Sequence, residues 1–214
     1  MVESSTSRAT IQAELLALAE RHIAAFDGYK VVVDDAAKGH FARYTTEGTN
    51  RLTVAKYRAA GLTLDGIKGF YSKICENQKK MNKQITSTKV GEDGGHNIYH
   101  TLASLPWPLS NRSTINAEYI IEQDGGFIYL VSSKGNEALI AANAAIIGKN
   151  VVATTIISFA KFTPYEGGFD ITTVVCSDPA GSIPDALKNK QASRAAQQPV
   201  NLVNFILTGA TPSD

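Results

Sequence analysis

Two short loops, each mixing proline with apolar side chains, constrain this chain more than any other feature. The first, Leu-Pro-Trp-Pro-Leu-Ser-Asn-Arg, occupies residues 105–112, and the second, Asp-Pro-Ala-Gly-Ser-Ile-Pro, occupies residues 178–184. Each lies between a segment with strand-like alternation and another predicted element. Because solvent-exposed loops seldom carry so many apolar residues among turn formers, both loops are predicted to touch something apolar.

The periodicity of apolar residues predicts an α+β domain. Alternation predicts strands over residues 29–34, 39–46, 51–59, 84–91, 95–103, 112–122, 126–132, 151–163 and 168–177. Helical spacing predicts a first helix over 9–26, a helical stretch over 63–83, and a closing helix from Pro184 to Leu207 with a kink at Pro199. This order predicts a curved antiparallel sheet of about nine strands, followed by the closing helix.

Length and composition bound the alternatives. A chain of 214 residues, 43% of them hydrophobic, can bury one substantial core. One domain is therefore predicted over residues 10–208, between a disordered segment 1–9 and a tail 209–214. The net charge of +1 gives no electrostatic support for a nucleic-acid partner.

No segment predicts membrane insertion or secretion. The nearest candidate for a span, residues 138–147, is too short, and the N-terminus lacks the basic and then apolar pattern of a secretory signal. Cys75 and Cys176 lie in apolar or amphipathic segments, where a buried free thiol is commoner than a disulfide. We therefore expect a cytoplasmic protein, monomeric, with two free thiols.

Together with the helical segment after the second loop, the two loops resemble the START family, the StAR-related lipid-transfer domains. The family pattern reads close to P-W/F-P-L-S-x-R in the first loop and D-P-x-G-x-x-P in the second, and both are present here. The resemblance implies the helix-grip fold, in which the last helix lies across the mouth of a strongly curved sheet. It also implies a hydrophobic cavity that binds one lipid as cargo, no cofactor, and transient contact with membranes between which the lipid is transferred.

The resemblance assigns the membrane contact and the gate to the two loops and the closing helix. Trp107 falls where the family places an aromatic side chain against the bilayer, and an indole suits that boundary because its ring is apolar and its N–H is polar. In the second loop the family's aromatic position corresponds to Ser182, so Ile183 takes that role. The predicted membrane and gate residues are Trp107, Pro108, Leu109, Gly181, Ile183 and Pro199. The alternative is that Trp107 packs under the closing helix.

Alternation along the strands indicates which side chains face the cavity. In the strand from Arg112 the apolar odd positions 115–121 are predicted to face inward, as are positions 169–175 and 53–59 at every second residue. The predicted lipid-binding residues are Tyr44, Tyr57, Tyr99, Thr101, Ile115, Tyr119, Val131, Ile171, Thr173, Val175 and Leu202. In the alternative interpretation, large helix side chains such as Phe70, Leu202 and Phe205 fill this space instead of a ligand.

The identity of the lipid is predicted to depend on a few polar positions. By the resemblance, Thr101, Val131 and Thr173 correspond to positions that hold the amide and hydroxyls of the lipid in the ceramide-transfer type. One of the three is apolar here, which favours a sterol or diacylglycerol over ceramide, with a phospholipid also open. Tyr99, Thr101 and Thr173 are the residues on which headgroup choice should depend, because sites that hydrogen-bond a ligand discriminate strongly.

Two other classes of function remain open from the sequence. A cavity enzyme is the first, but no catalytic or metal-binding residue is predicted, since no nucleophile motif or metal-ligand spacing is present. His96 and His100 lie on the face opposite Tyr99 and Thr101, where contact with solvent is predicted. A sensor of a small apolar molecule, which presents its closed gate to a protein partner, is the second; the basic start of the closing helix favours membrane surfaces instead.

Overall fold

The computed structural model describes residues 7–181 and 183–211, which form six α-helices around one sheet. The helices are α1 (Arg8–Ala24), α2 (Leu64–Tyr71), α3 (Ile74–Met81), α4 (Glu137–Ala142), α5 (Ala144–Ile147) and α6 (Asp185–Thr208). The strands are β1 (Lys30–Asp35), β2 (His40–Glu47), β3 (Asn50–Ala60), β4 (Ile85–Asp93), β5 (His96–Ala103), β6 (Arg112–Gln123), β7 (Gly126–Ser132), β8 (Val151–Val152), β9 (Thr154–Tyr165) and β10 (Gly168–Asp178).

All ten strands belong to one sheet, in the order β1-β2-β3-β10-β9-β7-β6-β5-β4, and β8 pairs with the start of β6. The pairings are antiparallel except that of β8 with β6, which is parallel. The predicted helix-grip fold is thus confirmed, with one more strand than expected. Helix α6 approaches the sheet closely where Ala196 packs against Ala42 and Ala55, and His40 Nε2 donates to the Ala196 carbonyl oxygen (2.8 Å).

The convex face of the sheet is covered by α1, α4 and α5. Ile11, Leu15 and Ala19 recur on one side of α1, as the helical period requires, and pack with the apolar side chains of the sheet. Arg8 anchors the start of this helix, because its buried guanidinium pairs with Asp93 Oδ2 (2.6 Å) and donates to the Lys134 carbonyl oxygen (3.3 Å). The convex face is therefore a packed core and not a solvated surface.

The concave face is covered by α2, α3 and α6. Here the aromatic rings of Tyr71 and Tyr129 stack at 4.1 Å between centroids, and Phe70 meets Phe205 of α6 edge to face at 5.7 Å. Leu202 and Val203 of α6 are buried in the same cluster. The large helix side chains named in the alternative interpretation thus fill one part of the space between the concave face and the helices. The open space lies in the other part.

The structure differs from the predicted elements in four places. The predicted stretch 63–83 is two helices, α2 and α3, and the short helices α4 and α5 were not predicted at all. The predicted strand 151–163 divides into β8 and β9, which pair with different strands. Of the predicted disordered segment 1–9, residues 1–6 lie outside the described residues, whereas Arg8 and Ala9 belong to α1 and the Ser7 hydroxyl caps that helix.

The orientation predicted for β6 was wrong. Ile115 and Tyr119 lie in the convex core with α1, and the even-numbered polar residues face the concave side. The prediction placed apolar residues toward the ligand, but helices cover both faces of this sheet, so the apolar set packs against helices and the polar set faces the open space.

The predicted exposure of the histidines on β5 was also wrong. His100 and His96 do lie on the convex face, but His100 is buried with its Nε2 3.0 Å from Ser113 Oγ, and His96 is half-buried against the Tyr119 ring. Burial lowers the pKa of the His100 imidazole below its usual 6.5. The neutral ring is therefore the form that the fold accommodates.

Acidification should destabilise the protein partly through His100. In the unfolded chain the imidazole binds a proton near pH 6.5, whereas burial lowers this pKa in the folded state, so stability falls as the pH drops below 6.5. The free energy of unfolding in urea, measured at about pH 7.5 and about pH 5.5, should fall more for the wild type than for His100→Asn. Parallel pH curves for the two proteins would contradict this assignment.

Candidate functional site

A cavity lies between the concave face of the sheet and α6, at the end where the two proline-containing loops meet. Its outer chamber has a volume of about 440 Å³ and is bounded by β5, β6, β9, β10, the two loops and α6. An inner chamber of about 200 Å³ lies deeper in the sheet. The chambers share five lining residues, Thr101, Thr114, Thr155, Val175 and Ser177, so they adjoin each other. The outer chamber alone is within the range of small-molecule sites, roughly 300–1,000 Å³.

The outer chamber exposes mostly apolar surface. Leu105 of the first loop, Ile183 of the second loop and Leu187 of α6 line it, together with the cationic Lys190 and Arg194 of α6. Trp107 does not pack under α6, because 92% of its surface is exposed, so the alternative placement of this ring was wrong. The Trp107–Pro108 peptide bond is cis, and Pro108 is exposed while Leu109 is half-buried. The first loop thus presents an indole ring to the surroundings beside a mostly apolar chamber.

Arg112 joins the two loops at the mouth. Its buried guanidinium donates to the carbonyl oxygens of Pro179 (Nε, 2.8 Å), Ser110 (Nη1, 2.5 Å) and Ala180 (Nη2, 3.2 Å). Among the described side chains no carboxylate pairs with it, and its hydrogen bonds are made to backbone of both loops. A charged group that donates to three carbonyl oxygens in different directions holds both loops in one arrangement.

Ten of the thirteen residues that line the inner chamber carry a hydroxyl or amide group. Its lining residues are Ile74, Gln78, Ser87, Tyr99, Thr101, Thr114, Asn116, Tyr129, Val131, Thr155, Ser158, Val175 and Ser177. Ser87 donates to Gln78 Oε1 (2.7 Å) and lies 3.0 Å from Thr101 Oγ1. Of the residues that the structure describes, none that lines this chamber carries a formal charge. The inner chamber is therefore polar but neutral.

A buried carboxylate follows Asn116 on the same face of β6. Asn97 Nδ2 donates to Glu118 Oε2 (2.7 Å), whereas Glu118 Oε1 has no hydrogen-bond partner among the described residues. Tyr99 and Tyr129 lie beside it, and burial together with this carboxylate raises the pKa of both phenols, so both remain protonated. Glu118 is not among the lining residues of either chamber, whereas both phenols line the inner one, so the carboxylate influences the chamber through these phenols.

Thr173 adds a second buried group of this kind. It lies on the concave face of β10, two residues from Val175, and its Oγ1 has no partner within the described part of the chain. Two of the three such atoms in the described residues, those of Glu118 and Thr173, thus belong to the face of the sheet that carries the cavity. The third belongs to Asn136, which precedes α4 on the convex side.

Some of the residues predicted to bind a ligand meet at this cavity. Tyr99, Thr101, Val131 and Val175 line the inner chamber. Ile183, which was predicted for the membrane contact and gate, lines the outer chamber. Their roles in binding remain predictions, since what the structure adds is their proximity to one another.

Other predicted residues lie elsewhere. Tyr57, Ile171 and Leu202 are on the concave side but pack in the aromatic cluster with α2, α3 and α6. Tyr44 lies outside the chambers, with its ring beneath the Arg51 guanidinium at 5.0 Å. Ile115 and Tyr119 face away from the cavity, as stated above, because β6 exposes its polar residues to the concave side.

Two further residues predicted for the gate, Gly181 and Pro199, lie in different parts of the structure. Gly181 has a φ of +65°, a value that favours glycine, and lines a smaller cavity of about 150 Å³ beside the start of α6. Pro199 is buried within α6. Their roles as points of movement remain predictions. Ser182, which corresponds to the family's second aromatic position, lies outside the described residues.

Sequence reasoning missed the polar side of β6, with Thr114, Asn116 and Glu118, and also Tyr129 and Ser158. The signal was present, because alternation correctly separated the two sets of residues on β6. Only the assignment of the sets to faces failed.

No metal centre or membrane span emerges from the structure. Over residues 7–181 and 183–211, no group of three histidine, cysteine or carboxylate side chains is arranged to hold a metal ion. None of the described helices is long and apolar enough to cross a bilayer. Cys75 and Cys176 are free thiols, and burial raises the pKa of Cys176 to about 12.

Comparison with solved structures identifies the fold. The crystal structure of human STARD10 superposes with a TM-score of 0.70 at 14% identity, covering 95% of this chain and 82% of that one. Human StAR-related lipid transfer protein 5 gives a TM-score of 0.70 at 13% identity, covering 95% of this chain and 99% of that one. A STAR-related lipid transfer protein fragment from Xanthomonas axonopodis gives 0.63 at 16% identity, covering 85% of this chain and all (100%) of that fragment.

These likenesses extend over nearly the whole chain but rest on geometry alone. No protein-family model and no curated protein matches the sequence. At identities of 13–16% the superpositions show the fold and leave the ligand open. The chain therefore has the START helix-grip fold, as the two loops and the closing helix predicted.

Proposed function

We propose that this chain binds a single lipid in the cavity between its sheet and α6, and transfers it between membranes. The observation that carries the proposal is the polarity of two adjoining chambers, an outer one that exposes mostly apolar surface and an inner one without a charged side chain in its lining. Leu105, Ile183 and Leu187 line the outer chamber, whereas side chains with hydroxyl and amide groups predominate around the inner one. This arrangement suits an amphipathic ligand, because its apolar part contacts apolar side chains and its polar end can hydrogen-bond with hydroxyl and amide groups.

The fold supports the same proposal. Two of the solved structures described above that share it carry lipid-transfer names, and the loop corresponding to a bilayer contact presents an almost fully exposed indole here. Each methylene removed from water contributes about 0.8 kcal/mol, so a hydrocarbon chain gains about as much inside such a cavity as in a bilayer. Exchange between protein and membrane is then nearly balanced, and the gate at the mouth sets its rate.

The inner chamber favours an uncharged polar end on the lipid. A phosphate at the inner end would need cations, yet no Lys or Arg lines this chamber in the described residues. The cations of the outer chamber are Arg112, which already donates to three loop carbonyls, and Lys190 and Arg194 of α6. The buried Glu118 carboxylate lies beside Tyr99 and Tyr129 of the chamber lining, and a negative charge so close to the chamber disfavours a second anion. We therefore propose a sterol, diacylglycerol or ceramide as cargo in preference to an anionic phospholipid.

The first experiment is identification of the lipid that accompanies the protein. The full chain would be purified from a eukaryotic cytosol without detergent, and native mass spectrometry would measure the stoichiometry before the lipid is extracted and identified. One neutral hydroxylated lipid per chain is the expected result. An anionic phospholipid at the same stoichiometry would overturn the headgroup assignment alone, and a chain free of lipid after exposure to mixed-lipid vesicles would overturn the lipid-binding proposal.

Removal of the exposed indole should weaken membrane contact without weakening the fold. Burying a large apolar side chain contributes roughly 1.5–3 kcal/mol, so Trp107→Ala should bind vesicles roughly 10- to 100-fold more weakly. Trp107 is the only tryptophan, so a blue shift of its emission on addition of phosphatidylcholine and phosphatidylserine vesicles reports directly on this contact. Lipid transfer between vesicles should slow in the same proportion.

The control for this prediction is Trp107→Phe, which keeps an aromatic ring at the same position. It should retain most of the vesicle binding, and both variants should unfold at the wild-type temperature because the ring is exposed in the free protein. Equal vesicle binding and transfer by wild type and Trp107→Ala would contradict the assignment of this loop to the membrane.

A further inference from the structure

A second apolar surface lies on the pair of short helices α4 and α5. After Glu137, the exposed first residue of α4, the exposed side chains of this pair are Ala138, Ala141, Ala142, Ala144, Ala145 and Ile146. Charged residues occur only at its two ends, with Glu137 at the start of α4 and Lys149 after α5. Ile147 packs into the convex core and holds the pair against the sheet, while its neighbour Ile146 is 44% exposed. An exposed helical face without a charged side chain is unusual for a protein surface in water.

This surface belongs to the same end of the molecule as the first loop, residues 105–112, called here the Trp107 loop. The segment that follows α5 is joined to that loop, because the Val151 N–H donates to the Asn111 carbonyl oxygen (3.1 Å). Asn150 Nδ2 also donates to Ser113 Oγ (3.2 Å), and the next residue, Val152, is 38% exposed. Three of the six large hydrophobic residues exposed in the described chain, Trp107, Ile146 and Val152, thus lie on segments joined at this end.

We propose that α4, α5 and Val152 form a second bilayer contact, called here the helical contact surface, which enters the membrane interface together with the Trp107 loop. The inference rests on the proposed function, since it needs the chain to dock on a membrane. Alanine and isoleucine side chains without charge suit the boundary between headgroups and acyl chains. Lys149, exposed at the border of the surface, suits the anionic headgroups of a cytoplasmic leaflet.

A two-point contact has a geometric consequence that one loop lacks. A single inserted indole leaves the protein free to rotate about the point of insertion, whereas a second contact on a helix pair tied to the sheet fixes its orientation. The outer chamber opens between the Trp107 loop and α6, so a fixed orientation would hold the opening toward the bilayer. Release of lipid into the membrane, and not only binding to it, should then depend on the helical contact surface.

The test compares charges placed at matched exposed positions. Ile146→Glu combined with Val152→Glu should weaken binding to vesicles of phosphatidylcholine and phosphatidylserine roughly tenfold, because two apolar contacts are replaced by carboxylates that repel the anionic surface. Ile120→Glu is the matched control, since Ile120 is 47% exposed near the other end of β6. That variant should bind as the wild type does. Equal binding by the double variant and the control would overturn the proposal.

A second measurement separates this inference from the proposed function. An environment-sensitive dye would be attached to Ile146→Cys or, separately, to Trp107→Cys, each with Cys75 and Cys176 replaced by serine and alanine. Dye at both positions should brighten on addition of vesicles and be quenched by brominated lipids. Response at position 107 alone would overturn the helical contact surface and leave the Trp107 loop in place. Response at neither position would overturn membrane docking itself, and a concentration-dependent response without vesicles would assign the surface to a second copy of the chain.

Discussion

Replacement of Val175 by tryptophan should weaken lipid binding by up to about a hundredfold while the domain remains folded. Val175 lines the inner chamber, the outer chamber and the smaller cavity beside Gly181, so an indole at this position occupies the space in which all three meet. A ligand that still bound would have to displace this ring, at a cost of roughly 1–3 kcal/mol for an overpacked core. We expect affinity to fall as much as a hundredfold, and no lipid to copurify with the variant.

The control lies on the same strand but on the other face. Thr172→Trp places the same indole opposite Lys161 and Lys56, away from the cavity, and should retain its lipid. Native mass spectrometry compares the two variants, and their unfolding in urea checks that both are folded. A variant at Val175 that carried lipid at the wild-type stoichiometry would place the lipid somewhere other than this cavity.

The parts of the fold that were predictable depend on local signals. The loop 105–112 combines an indole with two prolines, and the structure places that indole in solvent beside a mostly apolar chamber. The strand boundaries followed from alternation and from glycine-rich turns. Most predicted strand ends differ from the observed ones by no more than two residues. Features that depend only on interactions within one segment could therefore be predicted from its sequence.

The face of β6 could not be predicted in the same way. Alternation separates Ile115 and Tyr119 from Thr114 and Asn116, but which set faces the cavity depends on what covers each side of the sheet. Here α1, from the beginning of the chain, covers the convex face and buries Tyr119 completely. The rule that apolar residues face inward therefore failed, because this sheet has two interiors and the one that holds the open space is the more polar.

Helices α4 and α5 and strand β8 were not predicted from the sequence, because they too depend on tertiary context. The stretch of alanines and isoleucines at 138–147 contains Asn143, which ends α4 and precedes α5, so no single helical period runs through it. Strand β8 has only two residues and exists because it pairs in parallel with the start of β6. Elements this short are stabilised by packing on the rest of the domain, which local propensity does not report.

Arg112→Ala should separate the two loops at the mouth and destabilise the domain by about 3 kcal/mol. Three hydrogen bonds from one guanidinium are lost, and hydrogen bonds to charged groups each contribute about 1.5–3 kcal/mol when measured singly, although such values do not add. The carbonyl oxygens of Pro179 and Ala180 in one loop, and of Ser110 in the other, would lose the donor that holds them together. Unfolding in urea measures the loss, and faster escape of bound lipid to acceptor vesicles measures the opening of the mouth.

Lysine at this position distinguishes a positioning role from a need for charge alone. An ammonium group keeps the charge but cannot reproduce a planar fork that donates to three carbonyls on two loops, so Arg112→Lys should recover only a small part of the lost stability. Arg194→Ala is the control, because Arg194 also lines the outer chamber but is exposed and donates only to Gln84 Oε1 (3.2 Å) among its described contacts. It should change stability by less than about 0.5 kcal/mol. Full recovery by lysine would mean that the mouth requires a positive charge there, and unchanged lipid escape in Arg112→Ala would mean that the gate lies elsewhere than at the junction of these loops.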